Sequence, residues 1–284
     1  MPLPRAGCAA GILDGKLVVA GGTYWQDGRK IWSDRVDCFD PIANRWEPAA
    51  PMPQVQGDAA SAAFGGALYV FGGGVDGPAV ASAWSFRRGS WSPLPQMALP
   101  EPRRSAGAAV LDGRIYVLGG FAGTWTEFFP AASTFWAIEA GGSWRTLAPV
   151  PAPARFGSAV AAVGDRIFVA GGCTPENGGV RNLDEILSYD PHIDRWSVAG
   201  RLPAACRAAS GAAVGDRLVV IGGYTDRFES RIVNFDPETG RVSDAGRLPH
   251  ALADARFMRL GSGIIGATGE NGVRMRSPWT LASG

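Results

Sequence analysis

An all-β fold, built from six repeats of four antiparallel strands, is what the sequence predicts, and three observations carry the prediction. The first is a recurring glycine pair at the end of an apolar run: "KLVVAGG" at Gly21-Gly22, "ALYVFGG" at Gly72-Gly73, "RIYVLGG" at Gly119-Gly120, "RIFVAGG" at Gly171-Gly172 and "RLVVIGG" at Gly222-Gly223. The first glycines lie 51, 47, 52 and 51 residues apart, and a degenerate sixth copy puts Thr268-Gly269 in place of the pair, 46 residues further on. The second is a turn ahead of each pair, "LDGK", "FGGA", "LDGR", "VGDR" and "VGDR", of the kind that closes tight hairpins. The third lies downstream: "CFDP", "SYDP" and "NFDP", then Trp46, Trp91, Trp144 and Trp196 with Val242 in the fifth copy, and a closing proline signal.

Each element follows from its residues. The first strand of a unit ("AGCAAGIL", "SAGAAVL", "GSAVAAV", "ASGAAV") is rich in Ala, Gly and Ser, as an innermost strand crowded round an axis requires. A hairpin follows, then the apolar strand that ends at the glycines, a long loop, a third strand ending at Asp-Pro, and an outer strand whose tryptophan fills the wider space between sheets. Four antiparallel strands per unit make a propeller blade, so residues 1–284 are expected to form a single six-bladed β-propeller. The last copy shows no outer strand with a tryptophan. It is expected to be three-stranded, with an exposed edge.

The pattern resembles the kelch repeat over nearly the whole chain. The resemblance implies a six-bladed kelch-type propeller, a fold shared by binding scaffolds and a few enzymes, so function must be argued from the site.

Composition narrows the classes. The formal net charge is +1 with no block of like charges, which argues against nucleic acid and polybasic membrane attachment. No apolar run is long enough to span a membrane. No signal peptide is visible, which leaves the location open with the cytoplasm favoured. Cys8, Cys38, Cys173 and Cys206 follow no metal or redox spacing and read as reduced thiols, while His192 and His250 are too few for a histidine metal site or serine triad. The glycine pairs lack both nucleotide-loop signatures. No metal or cofactor is expected.

Alternation of strand direction puts the unit junctions and the post-glycine loops on one face, where a ligand is expected around the axial mouth. Arg5, Arg103, Arg104, Arg155, Arg207 and Arg256 stand at the junctions, the first, second and fourth each 16 residues before a first glycine. Copy two breaks the series with Gln56 and Asp58. These arginines are read either as a positive funnel for carboxylate or phosphate, or as structural partners of loop carbonyls and neighbouring acids. Tyr24, Trp25, Trp125 and Tyr224 add aromatic surface in polar loops, and Glu127 and Glu270 are candidate acid/base groups.

The ending "ATGENGVRMRSPW" is similar to that of the bacterial N-acetylneuraminate mutarotase group, with Gly269-Glu270 in the matching place. This implies carbohydrate binding and a cofactor-independent mutarotase or epimerase acting on an acidic sugar such as sialic acid. The alternative is a non-catalytic module that binds a protein or peptide on the same loop face. A closed pocket lined by Arg and Glu would favour the first, a broad apolar rim the second.

Overall fold

The computed structural model describes residues 1–124, 131–139, 142–272 and 279–281. In the first blade β1 (Ala9–Leu13) and β2 (Lys16–Ala20) form the inner hairpin, β3 (Thr23–Gln26) and β4 (Arg29–Trp32) stand apart as a separate hairpin, and β5 (Val36–Asp40) and β6 (Arg45–Ala49) complete the sheet in the order β1-β2-β5-β6. The second blade is β7 (Ala60–Phe64), β8 (Ala67–Phe71), β9 (Ala83–Arg87) and β10 (Ser90–Pro93). The third is β11 (Gly107–Leu111), β12 (Arg114–Leu118), β13 (Phe135–Glu139) and β14 (Arg145–Thr146). The fourth repeats the first: β15 (Ala159–Val163), β16 (Arg166–Ala170), a separate hairpin of β17 (Cys173–Glu176) and β18 (Gly179–Asn182), then β19 (Glu185–Asp190) and β20 (Arg195–Arg201). The fifth is β21 (Ser210–Val214), β22 (Arg217–Ile221), β23 (Arg231–Phe235) and β24 (Val242–Arg247).

The expected count of six blades is corrected to five. The chain after them forms β25 (Arg256–Leu260), β26 (Gly263–Ala267) and β27 (Trp279–Leu281), a sheet of only three strands. Among the described residues this last copy shows no fourth strand beyond β27, as its sequence pattern leads one to expect. This terminal sheet nevertheless occupies the gap between blade five and blade one. Ile265 and Ala267 share an apolar cluster with Leu17, Val19 and Phe39.

The hydrophobic core is divided among the gaps between neighbouring sheets rather than gathered at one centre. The repeated tryptophans sit there, half-buried against aromatic residues of their own sheets: Phe39–Trp46 and Phe86–Trp91 have ring centroids 5.1 Å apart, and Tyr189–Trp196 5.0 Å. Asp40 and Asp236 initiate the turns after the third strands by accepting two backbone N–H bonds each, at 3.0 to 3.2 Å. Those bonds hold both carboxyls below the usual range.

The glycine pairs are structural. Both members adopt positive φ, 66° and 88° at Gly21 and Gly22, and Thr268-Gly269 reproduces this at 72° and 104°. A Cβ on Gly73 or Gly120 would stand 2.6 or 2.7 Å from a carbonyl of the adjoining junction, so nothing but hydrogen fits. The first glycine of each pair lies equally close to a carbonyl of the next unit, and the second glycine donates to that carbonyl: Gly22 N–H to Gln56 O at 2.8 Å, Gly120 to Arg155 at 3.0 Å, Gly172 to Cys206 at 2.8 Å. Gly269 N–H donates to Arg5 O at 3.1 Å, and this bond closes the ring from the last repeat to the first.

Candidate binding face and axial cavity

Two residues past each junction arginine position the chain turns through a left-handed residue: Gly7, Asp58, Ser105, Gly157, Ala208 and Asp254, with φ between 51° and 63°. Their backbones link hand to hand round the axis. Asp58 N–H donates to Gly7 O, Ser105 to Asp58, Gly157 to Ser105, Ala208 to Gly157 and Asp254 to Ala208, all at 2.7 to 3.0 Å. This collar forms the mouth of an axial cavity of about 440 Å³, walled below by the small residues of the innermost strands. Where those strands approach, hydroxyls bridge them: Ser61 Oγ bonds the N–H and carbonyl of Ala10, and Ser210 Oγ accepts the Phe257 N–H at 2.9 Å. Asp58, Asp254, Arg256 and Arg259 are the charged residues among those lining the cavity. Its charge is therefore mixed.

Most of the predicted arginine funnel turns inward instead. Arg5 is fully buried, with Nη1 donating to Gly21 O at 3.0 Å and to Arg35 O, and Nη2 paired with Asp37 at 2.6 Å. Arg155 is as deeply buried and pairs with Glu185 at 2.8 Å. Arg103 stacks over the Trp136 ring at 5.2 Å and bonds Glu101 and Thr134. Arg104 lies over Phe121 at 5.8 Å and donates to Gly77 O, with desolvation lowering its pKa while Asp58 and Asp76 raise it. Arg256, in the cavity wall, donates to Cys8 O at 2.9 Å. Gln56, in the place of Arg5, likewise donates to the carbonyl of its own first glycine, Gly72. Arg5 and Gln56 thus satisfy the same carbonyl in their repeats, so a charge is not required there, and the glutamine that interrupts the arginine series was the signal for it.

The other predicted residues fall in three places. Glu270 is half-buried and pairs its backbone with Ala253 beside the collar. Glu127 and Trp125 lie outside the described residues. Arg207 and Tyr224 are brought together, the guanidinium 4.4 Å from the ring centroid, and Arg207 also donates to Asn182 Oδ1 at 2.8 Å. Asn182 in turn donates to the carbonyls of Tyr224 and Thr225, at 3.1 and 2.7 Å, so the β17–β18 hairpin is braced onto blade five.

The β3–β4 hairpin projects from the same face at the equivalent place, closed by the Asp27-Gly28 turn. Cross-strand register puts Thr23, Trp25, Lys30 and Trp32 on one side of it. That side meets blade two, where a Cβ on Gly57 would lie 3.2 Å from Thr23 and 3.3 Å from Trp32. Gly57 pairs with Gly74 in both directions at 3.0 Å, which sets Val55 and Val75 close by. Trp25 is 58% exposed, and Val55, Val75 and Val80 are exposed as well. Sequence reasoning named Tyr24 and Trp25 but missed the valines, whose exposure depends on glycine-mediated contacts between two blades.

The four thiols are unpaired with one another, and three of them are buried. Burial pushes Cys173 up to about 12 and Cys206 to about 11, which removes both as nucleophiles near neutral pH. Among the described residues no group of three or more His, Cys, Asp or Glu side chains could hold a metal ion. No helix there is long and apolar enough to cross a membrane.

Comparison with known proteins places this architecture. A family model described as the KLHDC2/KLHL20/DRC7 Kelch-repeats domain matches residues 58–251, and one described as the Kelch motif matches residues 4–53. Kelch-like protein 35 of Mus musculus is 27% identical over 215 residues, covering 73% of this chain and 34% of that protein. Beta-scruin of Limulus polyphemus is 30% identical over 221 residues, covering 73% of this chain and 23% of that protein. Kelch-like protein terF of Aspergillus terreus is 27% identical, covering 79% and 51%. The chain thus spans from under a quarter to about half the length of these relatives, and none of their names speaks of a sugar, of mutarotation or of a bacterial source. A solved structure titled "Structure of YjhT" superposes with a TM-score of 0.82 over 100% of this chain and 96% of that one at 16% identity, a likeness of fold. The chain belongs to the kelch-repeat family.

Proposed function

We propose that the protein is a non-catalytic binding module that holds a protein or peptide on the loop face of blades one and two, with Trp25 as the anchor. One observation carries this reading: Trp25, Val55 and Val75 are exposed on segments whose neighbours Thr23, Gly57 and Gly74 meet, and Val80 is exposed further along the Gly74 loop. Isolated exposed apolar residues are ordinary, but a tryptophan with three valines on adjoining loops has the composition of a recognition patch. Lys30, 5.4 Å over the Trp32 ring, supplies a polar rim. The acidic-sugar reading finds less support, because Arg5, Arg103 and Arg155 are buried inside the blades and two aspartates line the cavity with Arg256.

The test is a selection of displayed peptides against the whole protein. Peptides that bind are expected to lose at least about tenfold in affinity against Trp25→Ala, the scale of an interface anchor. Peptides indifferent to Trp25, Val55 and Val75 would overturn the reading. NMR of anomer exchange in sialic acid is expected to show no acceleration. Acceleration retained by the Trp25→Ala protein would return the function to the cavity.

A further inference from the structure

One slot recurs in every repeat, filled by the residue 16 positions ahead of the first glycine: Arg5, Gln56, Arg103 and Arg155 in blades one to four, and Leu252 ahead of Thr268 in the terminal copy. All five are buried. In blade five the residue is Cys206, which is much shorter. A cavity of about 40 Å³ lies beside it, between Leu202 of blade four and Val220, Gly222, Arg231 and Val233 of blade five. That is room for roughly three waters, or for one carboxylate group.

The wall that faces this slot is marked in each blade by one backbone hydrogen bond, from the first glycine to the carbonyl at the head of the third strand. Gly72 donates to Ser82, Gly119 to Thr134, Gly171 to Glu185 and Gly222 to Arg231. In blades three and four the side chain at this place answers the residue that fills the slot. Thr134 Oγ1 accepts from Arg103 at 3.2 Å, and Glu185 pairs with Arg155 at 2.8 Å. Blade five inverts the pair: the wall carries the guanidinium, and the slot holds the cavity.

Two further observations single out Arg231. In the β23–β24 register it stands directly opposite Arg247, where blade four sets Glu185 opposite Arg201. Like charges so placed are destabilising. Arg247 has Asp244 at 3.1 Å. Arg231 has no such acid. Among the described residues it alone of the buried and half-buried arginines makes no side-chain hydrogen bond or ion pair. Glu229, the acid in the cavity wall, is already engaged: it accepts from Thr225 Oγ1 at 3.0 Å and lies 3.6 Å from Arg227.

We propose that the slot between blades four and five binds a carboxylate on a short aliphatic stem, its oxygens paired with Arg231 and its stem against Leu202, Val220 and Val233. The carboxylate takes the room that the Arg155 guanidinium fills in blade four, and the ion pair of that blade is restored with its signs exchanged. The site is separate from the Trp25 patch and does not depend on it. A free monocarboxylic acid and the side chain of a partner's aspartate or glutamate present the same group.

The probes are propionate, its neutral isostere propionamide, and a glutamate capped at both ends, each titrated into the full chain by saturation-transfer NMR at constant ionic strength. Propionate is expected to bind with a Kd on the order of 1 mM, in keeping with so few atoms, and propionamide at least about tenfold more weakly. Arg231→Gln is expected to weaken propionate at least about tenfold, the scale of a charged hydrogen-bonded pair. Cys206→Gln gives the slot the residue that blade two uses, and is expected to abolish binding. Should that variant not fold, Arg231→Gln decides. Tighter binding of the capped glutamate assigns the slot to a partner's side chain, and tighter binding of propionate assigns it to a free acid. The proposal is overturned if neither carboxylate binds saturably, if propionate and propionamide bind alike, or if either folded variant binds propionate as the parent does.

Discussion

Arg5 and Trp25 stand on either side of the same glycine pair, and the fold treats them in opposite ways. Arg5 has the chemistry of a ligand-binding residue, yet it is fully buried and holds Gly21, Arg35 and Asp37 together. Trp25 has the chemistry of a core residue, yet it is carried out on a hairpin and left 58% exposed. The repeat therefore separates scaffold from surface by position rather than by residue type. A polar donor ahead of the pair is absorbed by the backbone carbonyls that the glycines turn inward, whereas the insertion after the pair is free to vary.

The largest effect expected from this contrast is on stability. Arg5→Ala leaves the buried Asp37 carboxylate with Arg35 alone and removes one donor each from the Gly21 and Arg35 carbonyls, a loss of roughly 3 kcal/mol by the usual cost of breaking a buried pair. Arg155→Ala should cost less, about 1–2 kcal/mol, because Glu185 is partly open to water and can rehydrate. Urea denaturation of both variants checks the order. Equal losses, or an Arg5 variant as stable as the parent, would mean that these guanidiniums are not what holds the junctions.

A smaller effect concerns the blade in which sulfur takes over the Arg5 position. Cys206 Sγ lies 3.7 Å from Gly222 O, the carbonyl equivalent to Gly21 O, and burial raises its pKa to about 11 from an ordinary 9.0. The folded state therefore holds this proton, and that of Cys173, at pH values where the unfolded chain has released them. Their stabilisation is complete below about pH 9 and is lost progressively as the pH rises through 11 and 12. Denaturation midpoints should fall over that interval, and Cys206→Ala should flatten the decline. An unchanged slope would show that the thiol is not protected by the junction.

How much of this could be read in the sequence follows from the same contrast. The strands, their hairpins and the inner strands' small residues were legible because backbone geometry demands glycine, Asp-Pro and alanine at fixed spacings. That the last copy would show three strands was legible too, although the six-blade count built on the repeats was one too high. The collar was not legible: its left-handed residues are Gly, Asp, Ser, Gly, Ala and Asp, with no shared side chain, since hydrogen bonds between backbones hold them. Nor were the arginines sorted by residue type, because what separates them is register and partner: Arg5 and Arg103, 16 residues ahead of the pair, turn onto Asp37 and the Trp136 ring, whereas Arg104 and Arg207, one residue later in register, lie over Phe121 and Tyr224.

The smallest effect is the one that divides the two regions most cleanly. Trp25→Ala removes a large side chain that buries little, so its stability should stay within about 0.5 kcal/mol of the parent, as for surface substitutions in general. Asn182→Ala, at the equivalent hairpin of blade four, should cost about 1–2 kcal/mol, because it removes the side-chain donor to the carbonyls of Tyr224 and Thr225 and the acceptor of Arg207. The two hairpins share a backbone plan and a place in the repeat. Thermal denaturation that found them equally sensitive would mean that Trp25 packs on blade two as structure. A silent Trp25 beside a costly Asn182 would leave the tryptophan free of any stability role, as a residue kept for a partner must be.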